Sequence, residues 1–277
     1  MSKVQLTKNV QVEFFYDTSS PWTYLAFARI REVCKKNHAS LVLIPMLVGG
    51  VFNAANKGLY AAREQMMAKM DMSMSKKKEQ KPSAKEIWSQ KDMTYWADYL
   101  GLHIHTMLER FNVRTKSGAP GHPISSVKML RGALIAAEES EDAMIRFSFV
   151  SFDAYWGSLV DVNDDDVILD MHKAANLKIS PQLFLDRCKN DQNIKNKLRE
   201  NTEALIKRGG FGSPSIFISR VDGDGSSDFE TQMHWGNDRM ELVEAAILKA
   251  QVSPVNLSLQ QSALVYIYYL SGYYKYE

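Results

Sequence analysis

The sequence predicts an α/β fold in which a sheet domain, built from both ends of the chain, is interrupted by a large all-helical insertion. A strand-like run at residues 12–16 leads into a helical pattern and then into a second strand-like run at 40–46. A third strand-like run, at 215–219, follows only after a long interval. Within residues 91–208 apolar residues recur at steps of three and four, which is the spacing of amphipathic helices.

The first strand is rich in aromatic residues and ends at turn-forming residues after Tyr16. Ser20 and Pro21 then supply two helix-start signals, a hydroxyl at the N-cap and a proline at the first helical position. A strand, a helix and a strand of these lengths make a βαβ unit. We therefore expect the first two strands to pair in parallel, with a right-handed crossover.

The middle of the chain is predicted to be almost entirely helical. Helix-start signals occur at Ser180-Pro181 and at Asn163-Asp164. Glycines at 209 and 210 then end the last helix before the chain returns to the sheet. The predicted helices are residues 91–100, 124–138, 140–156, 164–176, 180–190 and 191–208.

Composition places the chain among ordinary globular proteins. Of its 277 residues, 45% are hydrophobic and 24% are charged. A net charge of +2 argues against nucleic acid as the main partner. The most apolar segment, residues 263–270, is too short to span a membrane, so no membrane span is predicted.

The two cysteines, Cys34 and Cys188, are far apart in the sequence and each falls within a helical pattern. There is no Cys-x-x-Cys motif, which excludes dithiol redox chemistry by the protein at the usual position. Unpaired cysteines fit a reducing compartment. We expect an intracellular protein, cytoplasmic or mitochondrial, since no clear targeting signal is found.

Two patterns resemble metal sites, but both are incomplete. His103 and His105 have no Cys, Asp or Glu partner at ligand spacing. The run that begins at Asp161 opens like a calcium loop, yet Asp166 replaces the required glycine and His172 the final glutamate. No metal is therefore predicted.

Ser20 is the first candidate functional residue. A strand that runs directly into a helix leaves Ser20 at the helix mouth, where free N–H groups and the positive end of the helix dipole gather. Such a position suits an anion. A plain capping serine is the commoner explanation of a Ser-Pro pair, and this residue alone does not decide between the two.

The run at residues 15–25, Phe-Tyr-Asp-x-x-Ser-Pro-x-x-Tyr-Leu, resembles the opening of kappa-class glutathione transferases and of the related 2-hydroxychromene-2-carboxylate isomerases. Both belong to the thioredoxin superfamily, whose disulfide oxidoreductases carry Cys-Pro-x-Cys where this chain has Ser-Pro-Trp-Thr at residues 20–23. The resemblance extends from residue 10 to about residue 250. It rests also on Gly-Phe-Gly-Ser-Pro at 210–214 and on Gly-Asn-Asp-Arg-Met-Glu-Leu at 236–242.

The resemblance implies a thioredoxin-like sheet domain that holds glutathione and a helical domain that covers the second substrate. The sheet domain is expected to be discontinuous, comprising residues 8–50 and 205–252. The helical insertion is expected at 51–204, followed by a C-terminal tail at 253–277 for which we have no functional interpretation.

The resemblance also implies two further ligands for glutathione. Asn56 matches an asparagine that reaches the tripeptide in both families, although a loop asparagine is most often a turn former. Lys85 falls where kappa enzymes have a lysine that pairs with the glycyl carboxylate. Lys85 ends a lysine-rich insertion, residues 59–86, which is either a solvated excursion or a methionine-lined lid over an electrophile pocket.

Ser213 and Pro214 occupy the place of the cis-proline of the thioredoxin superfamily. A cis bond here would turn the backbone N–H and C=O of Ser213 toward a bound peptide, which then pairs like an added strand. The alternative is an ordinary trans proline at the start of a strand.

Asn237 and Asp238 lie in the Gly-x-Asp-Arg segment that both families use to hold the γ-glutamyl end of glutathione. The Asp238 carboxylate would accept from the α-ammonium, the helix N-terminus would accept the α-carboxylate, and Asn237 would add a backbone or amide contact. Without a ligand, Asp238 and Glu241 also fit a simple capping box.

The implied reaction uses Ser20 to bind and activate the glutathione sulfur. Three functions fit: a kappa-type transferase acting on a small electrophile such as an aryl halide or a peroxide, an isomerase that adds the thiolate reversibly to a double bond, and a non-catalytic thiol-peptide binder. The transferase is favoured. The resemblance further implies a homodimer, to which the tyrosine-rich tail would contribute.

Overall fold

The computed structural model describes residues 9–55, 83–118, 121–221, 229–230 and 233–251. Its strands are β1 (Val10–Tyr16), β2 (Ser40–Pro45), β3 (Ser215–Arg220), β4 (Phe229–Glu230) and β5 (His234–Trp235). Its helices are α1 (Pro21–Lys36), α2 (Val48–Ala55), α3 (Ala84–Leu100), α4 (Met107–Asn112), α5 (Val127–Glu139), α6 (Glu141–Phe152), α7 (Asp165–Ala174), α8 (Pro181–Asn190), α9 (Gln192–Lys207) and α10 (Met240–Gln251). A π-helical turn at Asp153–Gly157 extends α6, and a 3-10 turn at Asn237–Arg239 precedes α10.

The sheet has the order β2-β1-β3-β4, and β5 also pairs with β3. β1 and β2 are parallel, with Phe14 opposite Leu43, which confirms the predicted pairing of the first two strands. β3 runs antiparallel to β1 and places Ile216 opposite Phe14. Strands from both ends of the chain therefore meet in one mixed sheet, as the α/β prediction requires.

β1 buries side chains on both faces of the sheet, since successive strand residues point to opposite sides. Val12, Phe14 and Tyr16 belong to a large core shared with α1, α10 and the helices α3 to α9, which together are called the helical segment. Phe15 instead packs in a smaller core with Phe217 on the opposite face. The aromatic run read as a strand is thus a central strand covered on both sides.

α1 buries one face against the sheet. Its buried residues include Tyr24, Phe27 and Ile30 at three-residue steps, which is the pattern of an amphipathic helix. Lys35 and Lys36 lie in the last turn, where cations interact favourably with the helix dipole. The helix start at Ser20-Pro21 is therefore confirmed.

The helical segment packs directly on α1 and shares its core. Tyr24 stacks on Phe152 with ring centroids 5.0 Å apart and planes inclined by 2°. The Tyr16 hydroxyl lies 2.7 Å from the Ser148 hydroxyl. The Trp156 indole Nε1 donates to the carbonyl oxygen of Thr18 at 3.0 Å. These contacts fix the helices above the carboxyl end of β1.

The opposite face of the sheet is covered by α2 and α9. Met46, Val51, Leu205 and Phe217 form its core. Because α9 is one continuous helix, residues on both sides of position 204 belong to the same element. The division into domains at 51–204 stays a prediction.

The predicted helices of the middle of the chain are found close to their expected bounds, as α3 and α5 to α9. The 59–86 insertion up to residue 82 and the 253–277 tail lie outside the described residues. Among the helices that the structure describes, none is both long enough and apolar enough to cross a bilayer.

Candidate active site

A cleft of about 750 Å³ opens where the ends of β1 and β2 meet the helical segment. Ser20 lines the cleft, and so does Ser213 on the loop before β3. The remaining walls come from the first turns of α1 and α2, from one side of α3 and from the loop before α5. The other lining residues include Asp17, Trp22, Val48, Gly49, Phe52, Met93, Met107, His122, Ile124, Ser126 and Trp235.

Ser20 is the N-cap of α1 and is half-buried. Its Oγ accepts a hydrogen bond from the backbone N–H of Thr23 at 3.3 Å. The same hydroxyl donates to the carbonyl oxygen of Ser213 at 3.3 Å. Both distances exceed the usual length of a hydroxyl hydrogen bond, so an anion in the cleft would compete well for this donor.

The bond between Ser213 and Pro214 is cis, which confirms the prediction. The Ser213 side chain is buried and accepts from the backbone N–H of Asp17 at 2.9 Å. Its Oγ also lies 2.8 Å from the hydroxyl of Thr23. Thr23, at the position of the second cysteine of the redox motif, is fully buried and joins α1 to the loop before β3.

Trp235 covers the outer side of this loop. A Cβ on Gly212 would come 2.3 Å from the Trp235 indole nitrogen, so only glycine permits so close an approach. Phe211 packs on the same indole, with centroids 5.2 Å apart. Trp235 thereby forms the edge of the cleft nearest to the Asn237–Arg239 turn.

Asp17 lies at the floor of the cleft and is 1% exposed. Its carboxylate accepts from the backbone N–H of Ser19 at 2.9 Å and from that of Val48, the first residue of α2, at 2.9 Å. The nearby Ser126 side chain, just before α5, also favours the charged form of Asp17 and so lowers its pKa. Burial nevertheless raises the pKa of Asp17 above its ordinary value, because desolvation outweighs these hydrogen bonds.

Three helices begin at the cleft. Ser20, Val48 and Ser126 mark the starts of α1, α2 and α5, and all three residues line it. The Ser126 side chain makes no capping bond to its own helix. Free N–H groups and positive dipole ends therefore surround the space beside Ser20, and these features favour anions.

The two cysteines do not line the cleft. Cys34 and Cys188 are both buried and unpaired. Burial raises the pKa of each thiol to about 12. Neither thiol is a nucleophile at neutral pH, so any sulfur chemistry in the cleft needs a thiol from outside.

The structure does not place the other predicted glutathione ligands in the wall of the cleft. Lys85 lies exposed in the first turn of α3 and is not part of the cleft wall, and Asn56 falls outside the described residues. Asn237 is 2% exposed, and its carbonyl accepts from Arg29 Nη1 at 3.0 Å. Asp238 is exposed and pairs with Arg239 at 2.8 Å. Neither residue lines the cleft, although Trp235, two residues earlier, does.

The prediction that Asp238 and Glu241 form a simple capping box is wrong. Gly236, with φ of 105°, is the N-cap of the 3-10 turn and supplies no side-chain bond. The Glu241 carboxylate instead accepts from Arg29 Nη2 at 2.9 Å.

His103 and His105 do approach each other, with Nε2 atoms 3.1 Å apart. Glu109 lies 3.6 Å from Nδ1 of His105. In the part of the chain that the structure describes, no three His, Cys, Asp or Glu residues are grouped to hold a metal ion.

Sequence reasoning missed two cleft residues. Asp17 lies within the Phe-Tyr-Asp run at residues 15–25. It could have been identified in the sequence as a carboxylate that directly follows an apolar strand. His122 lies just before the predicted helix at 124–138, where no local pattern marks it, and a second cis peptide bond joins it to Pro123.

The model of the DSBA-like thioredoxin domain family matches residues 11–248. Glutathione S-transferase kappa 1 of Rattus norvegicus is 25% identical over 256 residues, which covers 88% of this chain and 93% of that protein. The Homo sapiens protein of the same name is 25% identical over 248 residues, with the same coverage.

Among solved structures, a 2-hydroxychromene-2-carboxylate isomerase superposes with a TM-score of 0.57 at 19% identity, covering 86% of this chain and 94% of that one. At this identity the likeness concerns the fold. Together with the family match over most of the sequence, it establishes that this chain is a member of the DSBA-like thioredoxin domain family.

Proposed function

We propose that this protein is a glutathione-dependent enzyme of the kappa-transferase type, in which the Ser20 hydroxyl stabilises the thiolate of bound glutathione. The observation that carries the proposal is the position of Ser20, at the mouth of α1 and 3.3 Å from the carbonyl oxygen before the cis-proline. The relatives named glutathione S-transferase kappa 1 support the choice of thiol.

The interactions available at such a site are strong enough to lower the pKa of a bound thiol into the neutral range. A free thiol has a pKa of about 8.5, so little thiolate is present at neutral pH. Lowering that pKa by about two units requires roughly 2.7 kcal/mol of preferential stabilisation. A hydrogen bond to a charged group contributes about 1.5–3 kcal/mol. A helix N-terminus contributes about 0.3–1 kcal/mol. Ser20 and the first turn of α1 together reach the required amount.

Asp17 is compatible with a thiolate nearby. A buried carboxylate would repel the sulfur anion, but burial raises the pKa of Asp17 and so favours its neutral form. The positive ends of α2 and α5 also face the same space. The cleft therefore favours a negative sulfur despite its acidic floor.

In the proposed complex the cysteinyl backbone of glutathione pairs with Ser213 as an added strand. The γ-glutamyl end extends past Trp235 toward Asn237 and Asp238, where the Asp238 carboxylate accepts from the α-ammonium. Lys85 is assigned to the glycyl carboxylate, and Asn56 is assigned to the bound tripeptide. Asp238→Asn should weaken glutathione binding but not the binding of an analogue that lacks the α-amino group.

The second substrate is proposed to be a small electrophile that binds the apolar side of the cleft. Phe52, Met93, Met107 and Ile124 line that side. Methionine side chains adapt to varied apolar shapes, which suits a transferase that accepts several electrophiles. A glutathione-dependent isomerase is the second candidate, and the structural neighbour favours it.

Calorimetric titration with glutathione tests the proposal. We expect one site per chain, and absence of binding up to millimolar glutathione would reject both candidates and the non-catalytic binder. Aryl-halide or peroxide turnover supports the transferase, whereas reversible isomerisation of a chromene carboxylate supports the isomerase. Tight binding with neither activity would leave only the binder. We also propose a homodimer, to be tested by light scattering.

A further inference from the structure

A pair of histidines outside the cleft has no part in the proposed glutathione chemistry. His103 and His105 lie in the segment that joins α3 to α4, and neither lines the cleft. Ile104, between them, is buried, whereas His103 is exposed and His105 is half-buried. The two imidazoles meet on the outer side of this segment, where an ion from solvent can reach them.

The two rings meet in a geometry that suits chelation. Nε2 of His103 lies 3.1 Å from Nε2 of His105. Zinc binds imidazole nitrogen at about 2.0–2.1 Å, so one ion with tetrahedral or square-planar ligation would hold two such nitrogens about 3 Å apart. The ring planes are inclined by 82°, and the ring centroids lie only 4.6 Å apart. A straight N–H···N bond of this length would place the centroids further apart, because the rings would then extend away from each other along one line.

Glu109 faces the other ring nitrogen of His105. Its carboxylate lies 3.6 Å from Nδ1 of that ring. The same carboxylate accepts from the backbone N–H and the hydroxyl of Thr106, at 2.7 and 2.8 Å, which fixes its position. These hydrogen bonds hold the pKa of Glu109 below its ordinary value, so the group is charged at neutral pH. A carboxylate at the second nitrogen is usual for a metal-bound imidazole, since it keeps the proton there and leaves the lone pair of Nε2 for the ion.

The backbone on both sides of the pair is held by hydrogen bonds. The N–H of His105 donates to the carbonyl oxygen of Trp156 at 2.9 Å, and the N–H of Leu102 donates to that of Ala97 at 2.9 Å. The Thr106 side chain then caps α4. Because none of these bonds uses an imidazole nitrogen, the two ligands are positioned before an ion arrives, and binding requires little further ordering.

We propose that His103 and His105 bind one divalent metal ion of the Zn²⁺ or Cu²⁺ type through their Nε2 atoms, with Glu109 as the outer carboxylate. Imidazole nitrogen suits both ions, and Cu²⁺ is bound more tightly than Zn²⁺ at a given site. Among the described residues no third His, Cys, Asp or Glu completes the set, so water fills the remaining positions and the ion is exchangeable. The site is independent of the proposed function, because neither histidine belongs to the cleft wall.

A plain hydrogen bond between the two imidazoles is the alternative role of the pair. With Nδ1 of His105 protonated toward Glu109, Nε2 of His103 donates to Nε2 of His105. Metal binding and this hydrogen bond exclude each other, since both use the same lone pair. The ion therefore replaces the hydrogen bond, and the proton of His103 moves to its Nδ1.

Calorimetric titration of the full chain with Cu²⁺, and separately with Zn²⁺, tests the inference. The wild-type protein should bind one equivalent of either ion, with Cu²⁺ the tighter. His103→Asn and His105→Asn should each weaken binding on the order of 100-fold, and Glu109→Gln roughly tenfold, since an outer partner typically contributes 10–100-fold. Glutamine at this position can still cap α4, so that variant removes only the charge. Electron paramagnetic resonance of the Cu²⁺ complex should show two coupled imidazole nitrogens in the wild-type protein and one in either histidine variant.

His38→Asn is the matched control, since His38 is exposed and has φ of 52°, a conformation that asparagine tolerates. This variant should bind both ions as the wild-type protein does. Mg²⁺ should not compete for the site, because it prefers oxygen ligands. Absence of saturable binding of Cu²⁺ and Zn²⁺, or equal affinities in the wild-type protein and in both histidine variants, would overturn the inference and leave the pair with its hydrogen bond alone.

Discussion

The Ser20 hydroxyl donates a hydrogen bond of 3.3 Å to the carbonyl oxygen of Ser213, the residue that precedes cis-Pro214. This contact joins the mouth of α1 to the loop before β3 across 193 positions of the chain. It places the Ser20 hydroxyl, the proposed donor to a sulfur anion, beside the backbone that is proposed to pair with a bound peptide. Four predictions follow from this geometry and its surroundings.

Arg29 anchors the turn that carries Asn237 and Asp238. Its guanidinium donates to the Asn237 carbonyl and to Glu241, and lies 4.8 Å from the Trp96 ring centre. Arg29→Ala should lower the free energy of unfolding by about 1.5–3 kcal/mol, the value of hydrogen bonds to a charged group in a largely buried position. It should also raise the Kd for glutathione, as measured by calorimetry.

Arg31→Ala is the control for Arg29, because Arg31 is on the same helix and pairs with Asp142 in an exposed position. Such a surface pair is worth about 0–1 kcal/mol, so urea denaturation should show little change. If both variants lose the same stability, the anchoring role of Arg29 is contradicted.

Asp17 should make stability fall as pH rises. Its pKa is raised in the folded protein above the ordinary value of 3.8, so the folded state binds more protons than the unfolded state between these two values. The contribution of Asp17 is therefore most favourable below pH 3.8 and is lost as pH rises through the folded pKa. Asp17→Asn should remove this component from the pH dependence measured by urea denaturation.

Asp142→Asn provides the comparison for Asp17, since Asp142 is exposed and lies outside the cleft. This variant should keep the wild-type dependence of stability on pH. A curve for Asp17→Asn that runs parallel to the wild-type curve would show that the buried carboxylate is not the source.

Cys34 and Cys188 should be dispensable for glutathione chemistry. Both thiols are buried, and burial raises the pKa of each to about 12, so neither forms a thiolate at neutral pH. Conservative Cys34→Ser and Cys188→Ser variants that remain folded should retain kcat for conjugation. A disulfide reagent should label the native protein slowly and the urea-unfolded protein at two sites. Loss of turnover in a folded variant would contradict this prediction.

The sheet and the helices were predictable because their signals are local. The strand that ends at Tyr16, the helix start at Ser20-Pro21 and the three- and four-residue steps of the middle segment each depend on neighbouring residues. The α2 helix was missed because Gly49 and Gly50 are poor helix formers, and packing of Val51 against Leu205 stabilises it instead.

The candidate site was predictable only in part. Ser20 was a candidate because it lies at a predicted helix start, whereas its role and the cis bond at Pro214 came from a resemblance, and the structure brings the two residues together. The hydrogen bonds of Asp17 with Val48 and Ser213 join segments that are distant in sequence, so no local pattern reveals them. The same holds for His122 and Tyr155, which lie 33 positions apart. The homodimer, the intracellular location and the roles of Asn56 and Lys85 stay predictions.

Titration of the thiol of bound glutathione, followed by ultraviolet absorbance of the thiolate, tests the central proposal most directly. In the wild-type protein the pKa should lie about two units below the value of about 8.5 for a free thiol. Ser20→Ala should raise it by at least one unit while leaving the affinity for glutathione largely unchanged. Ser140→Ala removes an equivalent cap from α6, where the Ser140 Oγ accepts from Ala143 at 3.0 Å, and should leave the titration unchanged. An identical thiol titration in the wild-type protein and in Ser20→Ala would contradict the account.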